Sequence, residues 1–299
     1  MESYARGIQG SNSIKKFVFN INGKIVNEED AKISILDRGF LYGDSIYEVT
    51  DAIDGVPIFL EEHLDRLWIS ANKINLEINY LRSEIRHELQ KCLEALNTKR
   101  AYIRIIITRG VGDITLSTKE ATSNNLVIIT SEMKDNPSWW YDQGVEVIIA
   151  NTRRTAKETV DPSVKSGNYL NNVMAYNEAV KRGAFDAIML NQQGNVTEGT
   201  TSNIWVIKDG VFMTPPLKSG LLGGITRAKV IEILKSHSIS FEEKLMSEND
   251  LKTADEMFLS SSTRRLIPII KVDNSLISNG RPGKLTLDLL DKYLKLIKG

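Results

Sequence analysis

The 299-residue chain has a single cysteine, Cys92, and this excludes an internal disulfide framework. Cys92 lies in an apolar, helix-like stretch, so a structural thiol is favoured over a nucleophile. Histidine is also scarce, and His63, His87 and His237 are too scattered for metal-ligand spacing. The sequence therefore predicts no metal site.

Net charge and long hydrophobic runs are absent as well. The 38 basic residues balance 38 acidic ones, so nothing points to nucleic acid or an anionic membrane as a partner. The longest apolar runs, 103–108 and 126–130, are far shorter than the roughly 20 residues of a membrane span. Residues 1–6 lack the apolar core of a signal peptide, so we expect a cytoplasmic protein.

The chain does have enough apolar residues, 41%, to bury a core, and its length fits one large or two medium domains. Two apolar runs around Asn22-Gly23 predict an opening β-hairpin. Amphipathic helices and buried strands follow, and they indicate a small α+β domain over residues 1–131. The polar, turn-rich segment 132–144 is the expected linker to a larger domain over 145–299.

The second half of the sequence mixes strand and helix patterns. Asp209-Gly210 separates two apolar runs and predicts another hairpin. Helical periodicity is present at 225–237 and 285–297. Because strands and helices do not alternate regularly, a Rossmann or barrel fold is disfavoured, and the fold class indicated is α+β.

Lys165 and Glu198 are the most informative residues, and both lie in glycine-broken segments. An aldehyde cofactor such as pyridoxal phosphate needs a primary amine that can form an imine and be displaced. A carboxylate beside the pyridine nitrogen keeps that nitrogen protonated, so that the ring accepts electrons. Lys165 and Glu198 can fill these roles, although a lysine is more often a solvated surface group.

Three motifs in the segment 164–203 extend this observation: Lys-Ser-Gly-Asn-Tyr-Leu-Asn-Asn-Val-Met-Ala from Lys165, Ala-Ile-Met-Leu from Ala187 and Thr-Glu-Gly-Thr-Thr-Ser-Asn from Thr197. In these motifs the chain resembles the class IV (fold type IV) aminotransferases. This family includes branched-chain aminotransferases, D-amino acid transaminases and aminodeoxychorismate lyases. The resemblance implies a pyridoxal 5'-phosphate enzyme with a small N-terminal α+β domain and a larger C-terminal domain built around a β-barrel-like sheet.

The resemblance also implies roles for individual residues, with Lys165 as the catalytic anchor and Glu198 at the pyridine nitrogen. Arg66 matches an arginine that grips the phosphate, although its own sequence context is that of a solvated helix face. The segment 223–227 lies where a helix begins, and this suits either a phosphate or an ordinary N-cap. The other cofactor contacts implied are Tyr169 at the ring oxygen, Leu222 at the ring face, and Ile225, Thr226 and Ser262 at the phosphate.

The reaction implied is a ping-pong transamination between an amino acid and a 2-oxo acid. The donor stays open, because residues 47–49 are similar to D-amino acid transaminases whereas residues 101–104 are similar to branched-chain enzymes. Two alternatives stay in view: an aminodeoxychorismate lyase, which typically has Phe-Thr-Thr at 47–49, and a non-catalytic pyridoxal phosphate-binding protein.

Two departures from the family concern the substrate. Asp51 stands where a basic residue is common, and Arg264-Arg265 replace small residues and an acid. An arginine beside the turn that receives the substrate carboxylate would bind it bidentately, unless it pairs with an acid at a subunit interface. We expect small-molecule amino acids and 2-oxo acids as partners and a homodimer or higher homo-oligomer. The substrate-binding candidates are Arg38, Tyr42, Tyr102, Arg104, Thr263 and Arg264.

Overall fold

The computed structural model describes residues 16–298, so residues 1–15 of the predicted N-terminal domain lie outside the described residues. The described chain forms two compact units. The N-terminal unit runs to Asp135 and also includes Val164–Asn168. The C-terminal unit comprises Asn136–Ser163 and the chain from Tyr169 onward. The division falls inside the segment expected to be the linker, and the pentapeptide around Lys165 belongs to the N-terminal unit.

The N-terminal unit is an antiparallel sheet with helices packed on one face. Its elements are β1 (Phe17–Ile21), β2 (Lys24–Val26), α1 (Arg38–Tyr42), β3 (Ser45–Ile53), β4 (Val56–Pro57), α2 (Leu60–Lys73), α3 (Arg82–Leu96), β5 (Arg100–Thr108) and β6 (Asn125–Glu132). The six strands pair in the order β2-β1-β6-β5-β3-β4.

Alternation along β5 shows why this sheet has a core face and a second face. Ala101, Ile103 and Ile105 are buried and join the apolar core, together with residues of α2 and α3. Their neighbours Tyr102 and Arg104 lie on the opposite face and are half-buried. The core face thus anchors the helices, whereas Tyr102 and Arg104 belong to the second face.

The C-terminal unit is built on a mixed sheet. Its elements are α4 (Trp139–Asp142), β7 (Val145–Ile149), α5 (Leu170–Lys181), β8 (Asp186–Leu190), β9 (Val196–Gly199), β10 (Asn203–Lys208), β11 (Val211–Thr214), α6 (Ile225–Ser236), β12 (Phe241–Glu243), α7 (Glu248–Lys252), β13 (Glu256–Ser261), β14 (Arg265–Val272), β15 (Ser275–Leu276) and α8 (Lys284–Leu296). The main strand order is β12-β11-β10-β13-β14-β7-β8-β9, with β15 beside β14.

This sheet curls back on itself. The tight turn at residues 199–202 brings β9, at the end of the strand order, against β10 again. All residues of β8 and β9 are buried, as expected for the interior of a curled sheet. The result is a half-barrel with helices packed on it, which confirms the predicted α+β class and the barrel-like C-terminal sheet.

Local sequence signals account for many element boundaries. The hairpin at Asn22-Gly23 forms, and both turn residues have positive φ, 51° and 85°. The hairpin at Asp209-Gly210 forms in the same way, between β10 and β11. Within residues 16–298, no helix combines the length and the apolar character needed to cross a membrane.

Gly110 is a position where the fold requires glycine. Its φ is +99°, and a Cβ there would overlap the backbone oxygen of Ser123. We predict that Gly110→Ala lowers the free energy of unfolding in urea by about 3 kcal/mol. Gly55→Ala is the matched control, because Gly55 also has positive φ, +78°, but open space around it. It should cost about 1 kcal/mol, and equal losses would contradict the steric explanation.

Candidate active site

Lys165 is held against β3 by its backbone. Its N–H donates to Ser70 Oγ at 3.2 Å, and its carbonyl accepts from the N–H of Tyr47 at 2.9 Å. The next residue, Ser166, forms a bridge with Ile46. A Cβ at Gly167 would overlap Ser45 Oγ, so glycine permits this close approach. The lysine is therefore fixed to a sheet strand, although it lies in an irregular segment.

The side chain of Lys165 is buried beside an aromatic ring. The residue is 9% exposed, and Nζ lies 3.4 Å from Tyr47 Oη and 4.4 Å from the centre of the ring. The guanidinium of Arg104 lies 4.1 Å from the same ring centre. Arg104 forms no ion pair with any side chain of residues 16–298. The side chains of Lys165 and Arg104 thus both contact Tyr47, for which the sequence indicates only a similarity to D-amino acid transaminases.

Arg66, predicted to bind phosphate, belongs to a buried cluster with Glu48 and His63. Glu48 Oε1 accepts from Arg66 Nε at 2.7 Å, and Oε2 accepts from Arg66 Nη2 at 2.6 Å. Oε2 also lies 2.7 Å from His63 Nδ1. Glu48 is 1% exposed, so the carboxylate is removed from water and held by these two partners.

The ionisation of this cluster follows from its contacts. Burial alone would raise the pKa of Glu48, but the charge and hydrogen bonds of Arg66, followed by those of His63, lower it from 4.5 to about 2. Burial lowers the pKa of His63, whereas its hydrogen bond with Glu48 and the charge of Glu48 oppose that effect. Glu48 is therefore ionised at physiological pH and acts as an acceptor only, so His63 donates to it through Nδ1–H.

Glu198, the predicted partner of the pyridine nitrogen, lies on β9 of the C-terminal unit and is 5% exposed. Its Oε1 accepts from Arg154 Nε at 2.9 Å, and its Oε2 accepts from the backbone N–H of Leu222 at 3.0 Å. Asn203 Nδ2 lies 3.4 Å from Oε2 and 2.9 Å from the carbonyl of Leu222. Sequence reasoning missed Arg154, because an arginine in a loop carries no spacing signal.

The start of α6 lies close to this carboxylate. Gly224 is the N-cap of α6, and a Cβ there would overlap Asn203 Oδ1, so a larger residue would displace the Asn203 amide. Ile225 and Thr226 form the first turn, whose N–H groups and positive dipole end suit an anion. Thr226 is buried, with its hydroxyl 3.4 Å from Tyr293 Oη. Tyr169 is the N-cap of α5 and is half-buried.

The turn between β13 and β14 contains Ser262, Thr263 and Arg264, and it is tied to its own unit. Arg264 donates to Thr201 Oγ1, lies 3.8 Å from Asp186 Oδ2 and rests 5.5 Å from the ring centre of Phe185. The carbonyl of Thr263 accepts from Asn136 and that of Arg264 accepts from Tyr141. Arg264 therefore pairs with an acid of the same chain, and its role toward substrate stays a prediction.

The neighbouring Arg265 completes the turn. Its φ is +63°, and its guanidinium donates to the carbonyl of Ser262. The residue is 4% exposed, so this side chain supports the turn from inside the unit.

Arg38 has contacts that favour a structural role. The residue is buried, its Nε donates to Asp44 at 3.1 Å, and its other nitrogens donate to the carbonyls of residues 115–117. The guanidinium stacks on Tyr42, with Cζ of Arg38 4.8 Å from the centre of the Tyr42 ring. Arg38 thus connects α1 to the loop after β5, and its expected contact with substrate stays a prediction, as does that of Tyr42.

Cys92 and the acidic substitution at Asp51 also have clear surroundings. Cys92 is fully buried in the apolar core, and burial raises the pKa of its thiol to about 11, as expected for a structural cysteine. Asp51 is buried and accepts from Arg100 Nε at 2.9 Å. Asp51, the acid that departs from the family pattern, is therefore neutralised by Arg100 on the neighbouring strand β5. Among residues 16–298, no group of histidine, cysteine and acidic side chains could hold a metal ion.

The low pKa of Glu48 predicts a dependence of stability on pH. Because the folded pKa lies below 4.5, ionised Glu48 stabilises the fold above about pH 4.5, and this contribution is lost as the pH falls toward 2. Between about pH 5 and pH 3, the free energy of unfolding should fall about 2 kcal/mol more for wild type than for Glu48→Gln. Glu94→Gln, at an exposed site, should follow wild type. Parallel curves for wild type and Glu48→Gln would contradict the assignment.

Comparison with known proteins identifies the family. Residues 45–272 match the model of amino-transferase class IV. The chain is 37% identical to a putative branched-chain-amino-acid aminotransferase of Methanocaldococcus jannaschii, over 91% of this chain and 94% of that protein. It is 36% identical to D-alanine aminotransferase of Staphylococcus epidermidis, over 93% of this chain and 97% of that protein.

Among solved structures, the branched-chain aminotransferase of the thermophilic archaeon Thermoproteus uzoniensis, crystallised with norvaline, superimposes with a TM-score of 0.86. Its sequence identity is 30%, and the match covers 94% of this chain and 94% of that one. Class IV aminotransferases are pyridoxal phosphate enzymes. The chain belongs to the class IV aminotransferases and is a transaminase.

Proposed function

We propose that this transaminase uses pyridoxal 5'-phosphate, with Lys165 as the covalent anchor, to move amino groups between amino acids and 2-oxo acids. The observation that carries the proposal is the burial of Lys165, with Nζ held 3.4 Å from Tyr47 Oη. Burying an amine costs free energy that a purely structural role seldom requires, so the burial favours a chemical role. The cofactor, when bound, supplies an aldehyde for this amine and a ring that accepts electrons.

The carboxylate of Glu198 suits the pyridine nitrogen. Arg154 and the N–H of Leu222 both donate to it, which stabilises the ionised form. An ionised carboxylate is an acceptor only, so it favours a protonated ring nitrogen facing it. Tyr169 and Leu222 keep their proposed roles at the ring oxygen and the ring face.

The phosphate would be held by cations and hydrogen-bond donors. The first turn of α6, with Ile225 and Thr226, offers backbone N–H groups and a hydroxyl. Arg66 adds a planar guanidinium, and Ser262 adds a further hydroxyl. Each of these groups can donate at least one hydrogen bond to a dianion.

Lys165 has a second task in the proposed reaction. After release from the cofactor, its amine carries the proton between the substrate α-carbon and the cofactor. Its anchored backbone and its contact with Tyr47 limit where Nζ can move, which favours transfer between two fixed points.

Substrate carboxylates are proposed to meet Arg104. Its guanidinium is stacked on Tyr47 and forms no ion pair with a described side chain, so an incoming carboxylate can pair with it. Tyr102, on the same face of β5, adds a hydroxyl. Thr263 and Arg264, and Arg38 and Tyr42, stay secondary candidates. Whether the donor is a D-amino acid or a branched-chain L-amino acid is left to experiment.

A half-reaction tests this function. Purified protein loaded with pyridoxal phosphate is mixed separately with D-alanine, L-leucine, L-glutamate, D-glutamate and (R)-1-phenylethylamine, and the absorbance of the bound cofactor is followed. We predict that amino donors of one stereochemical configuration bleach the absorbance of the bound cofactor. For Lys165→Ala, this bleaching should be at least about 10³-fold slower. The exposed Lys157→Ala should behave as wild type. A bound, visible cofactor that no amine bleaches would exclude transamination of these donors and favour the lyase or a carrier.

We also propose a homodimer, supported by an exposed apolar surface on the N-terminal unit. This α1 surface consists of Ile35 (75% exposed), Phe40 (68%), Ile114 (76%) and Leu116 (82%). The bonds from Arg38 to the carbonyls of residues 115–117 hold α1 and the loop together. Large exposed apolar side chains on segments that are bonded to one another are typical of a protein interface.

The α1 surface makes a prediction about assembly. Replacing Phe40 and Leu116 together by Ser should convert a dimer into a monomer at micromolar concentration, as measured by sedimentation equilibrium. The matched control replaces Val56 and Leu81, which are 68% and 67% exposed and lie outside this surface. A wild-type monomer, or a double variant that remains dimeric, would contradict the assignment.

A further inference from the structure

Glu48 connects the sheet and the helix that carry the N-terminal part of the proposed site. It lies on the core face of β3, whereas His63 and Arg66 are one turn apart on α2. The carboxylate reaches both side chains with bonds of 2.6–2.7 Å. It is therefore a buried bridge between two secondary-structure elements.

The bridge fixes the orientation of the guanidinium. The two oxygens of Glu48 accept from Nε and from Nη2 of Arg66, so the carboxylate occupies one edge of the planar group. A bidentate contact of this kind sets both the plane and the direction of an arginine. His63 holds Oε2 from a second side, so the carboxylate itself has little freedom to rotate.

We propose that Glu48 is a positioning residue for the cofactor phosphate, which acts by holding Arg66 in the orientation that phosphate requires. This inference rests on the proposed function. An arginine that is ordered in advance loses less conformational freedom when the anion binds. His63 supports Glu48 in this task by restraining its second oxygen.

If only the net charge near Arg66 mattered, loss of Glu48 would have the opposite effect on phosphate binding. Glu48 neutralises Arg66, so removing its charge would strengthen the attraction of Arg66 for a dianion. If orientation dominates, loss of the carboxylate weakens phosphate binding; if net charge dominates, the same change strengthens it. The sign of the effect therefore decides between the two.

A matched ion pair on the same strand provides a control. Asp51 lies three residues after Glu48 on β3, is also fully buried, and accepts from Arg100 Nε at 2.9 Å. Its neutralisation by Asp51→Asn removes a buried charge from the same unit without touching Arg66. Any general effect of losing a buried carboxylate should appear in both variants.

The experiment measures the dissociation constants of pyridoxal 5'-phosphate and of pyridoxal, which lacks the phosphate, by equilibrium dialysis. For Glu48→Gln, we expect pyridoxal phosphate to bind at least about tenfold more weakly, whereas pyridoxal binding changes less than about twofold. Asp51→Asn should leave the ratio of the two constants unchanged. In an Arg66→Gln background, adding Glu48→Gln should have no further effect on the ratio.

Two outcomes would overturn the proposal: an unchanged ratio of the two constants, which includes equal weakening of both ligands, or tighter binding of pyridoxal phosphate. If Glu48→Gln does not fold, His63→Asn is measured in its place. It should weaken pyridoxal phosphate relative to pyridoxal by about threefold. An unchanged ratio in that variant would also overturn the proposal. If wild type itself does not prefer pyridoxal phosphate to pyridoxal, the proposed function fails; if it does, only the role of Glu48 is rejected.

Discussion

The requirement that buried charges have partners is the constraint on which the site depends. An unpaired ion inside a protein is costly, so a buried charge persists where neighbouring groups stabilise it. Glu48 is held by Arg66 and His63, and Glu198 is held by Arg154 and a backbone N–H. In each unit, the partner comes from an element other than the strand that bears the carboxylate. Packing of the fold therefore fixes the charges that the chemistry would use.

The position of Lys165 follows from backbone hydrogen bonding. The segment Val164–Asn168 lies in sequence between two stretches of the C-terminal unit, yet it belongs to the N-terminal unit and bonds along β3. This arrangement places the proposed anchor lysine in the unit of Arg66, whereas Glu198 and the start of α6 belong to the other unit. The N-terminal unit thus bears the residues proposed for covalent attachment and one phosphate contact, and the C-terminal unit bears the residues proposed for the ring nitrogen and the helix N-terminus.

The sequence predicted those parts of the structure that local physics determines. Hairpin turns with Asn-Gly and Asp-Gly, and helices with apolar residues every three or four positions, form where expected, because their signals are local. The strand β14 was not predicted, because Pro268 interrupts its pattern; the structure tolerates this proline just before Ile269, where pairing with β7 begins. The contact of Arg154 with Glu198 and the burial of Arg38 were not predicted either, since they join residues distant in sequence. The family motifs named Lys165 and Glu198, but they could not show which side chains hold them.

The most direct test of the account is to identify the lysine that carries the cofactor. The protein is loaded with pyridoxal phosphate, the bond between cofactor and protein is reduced with borohydride, and the digested peptides are analysed by mass spectrometry. The account predicts that the pyridoxyl group is found on Lys165, at close to one group per chain. Labelling spread over exposed lysines such as Lys157 and Lys218, with Lys165 unmodified, would contradict it.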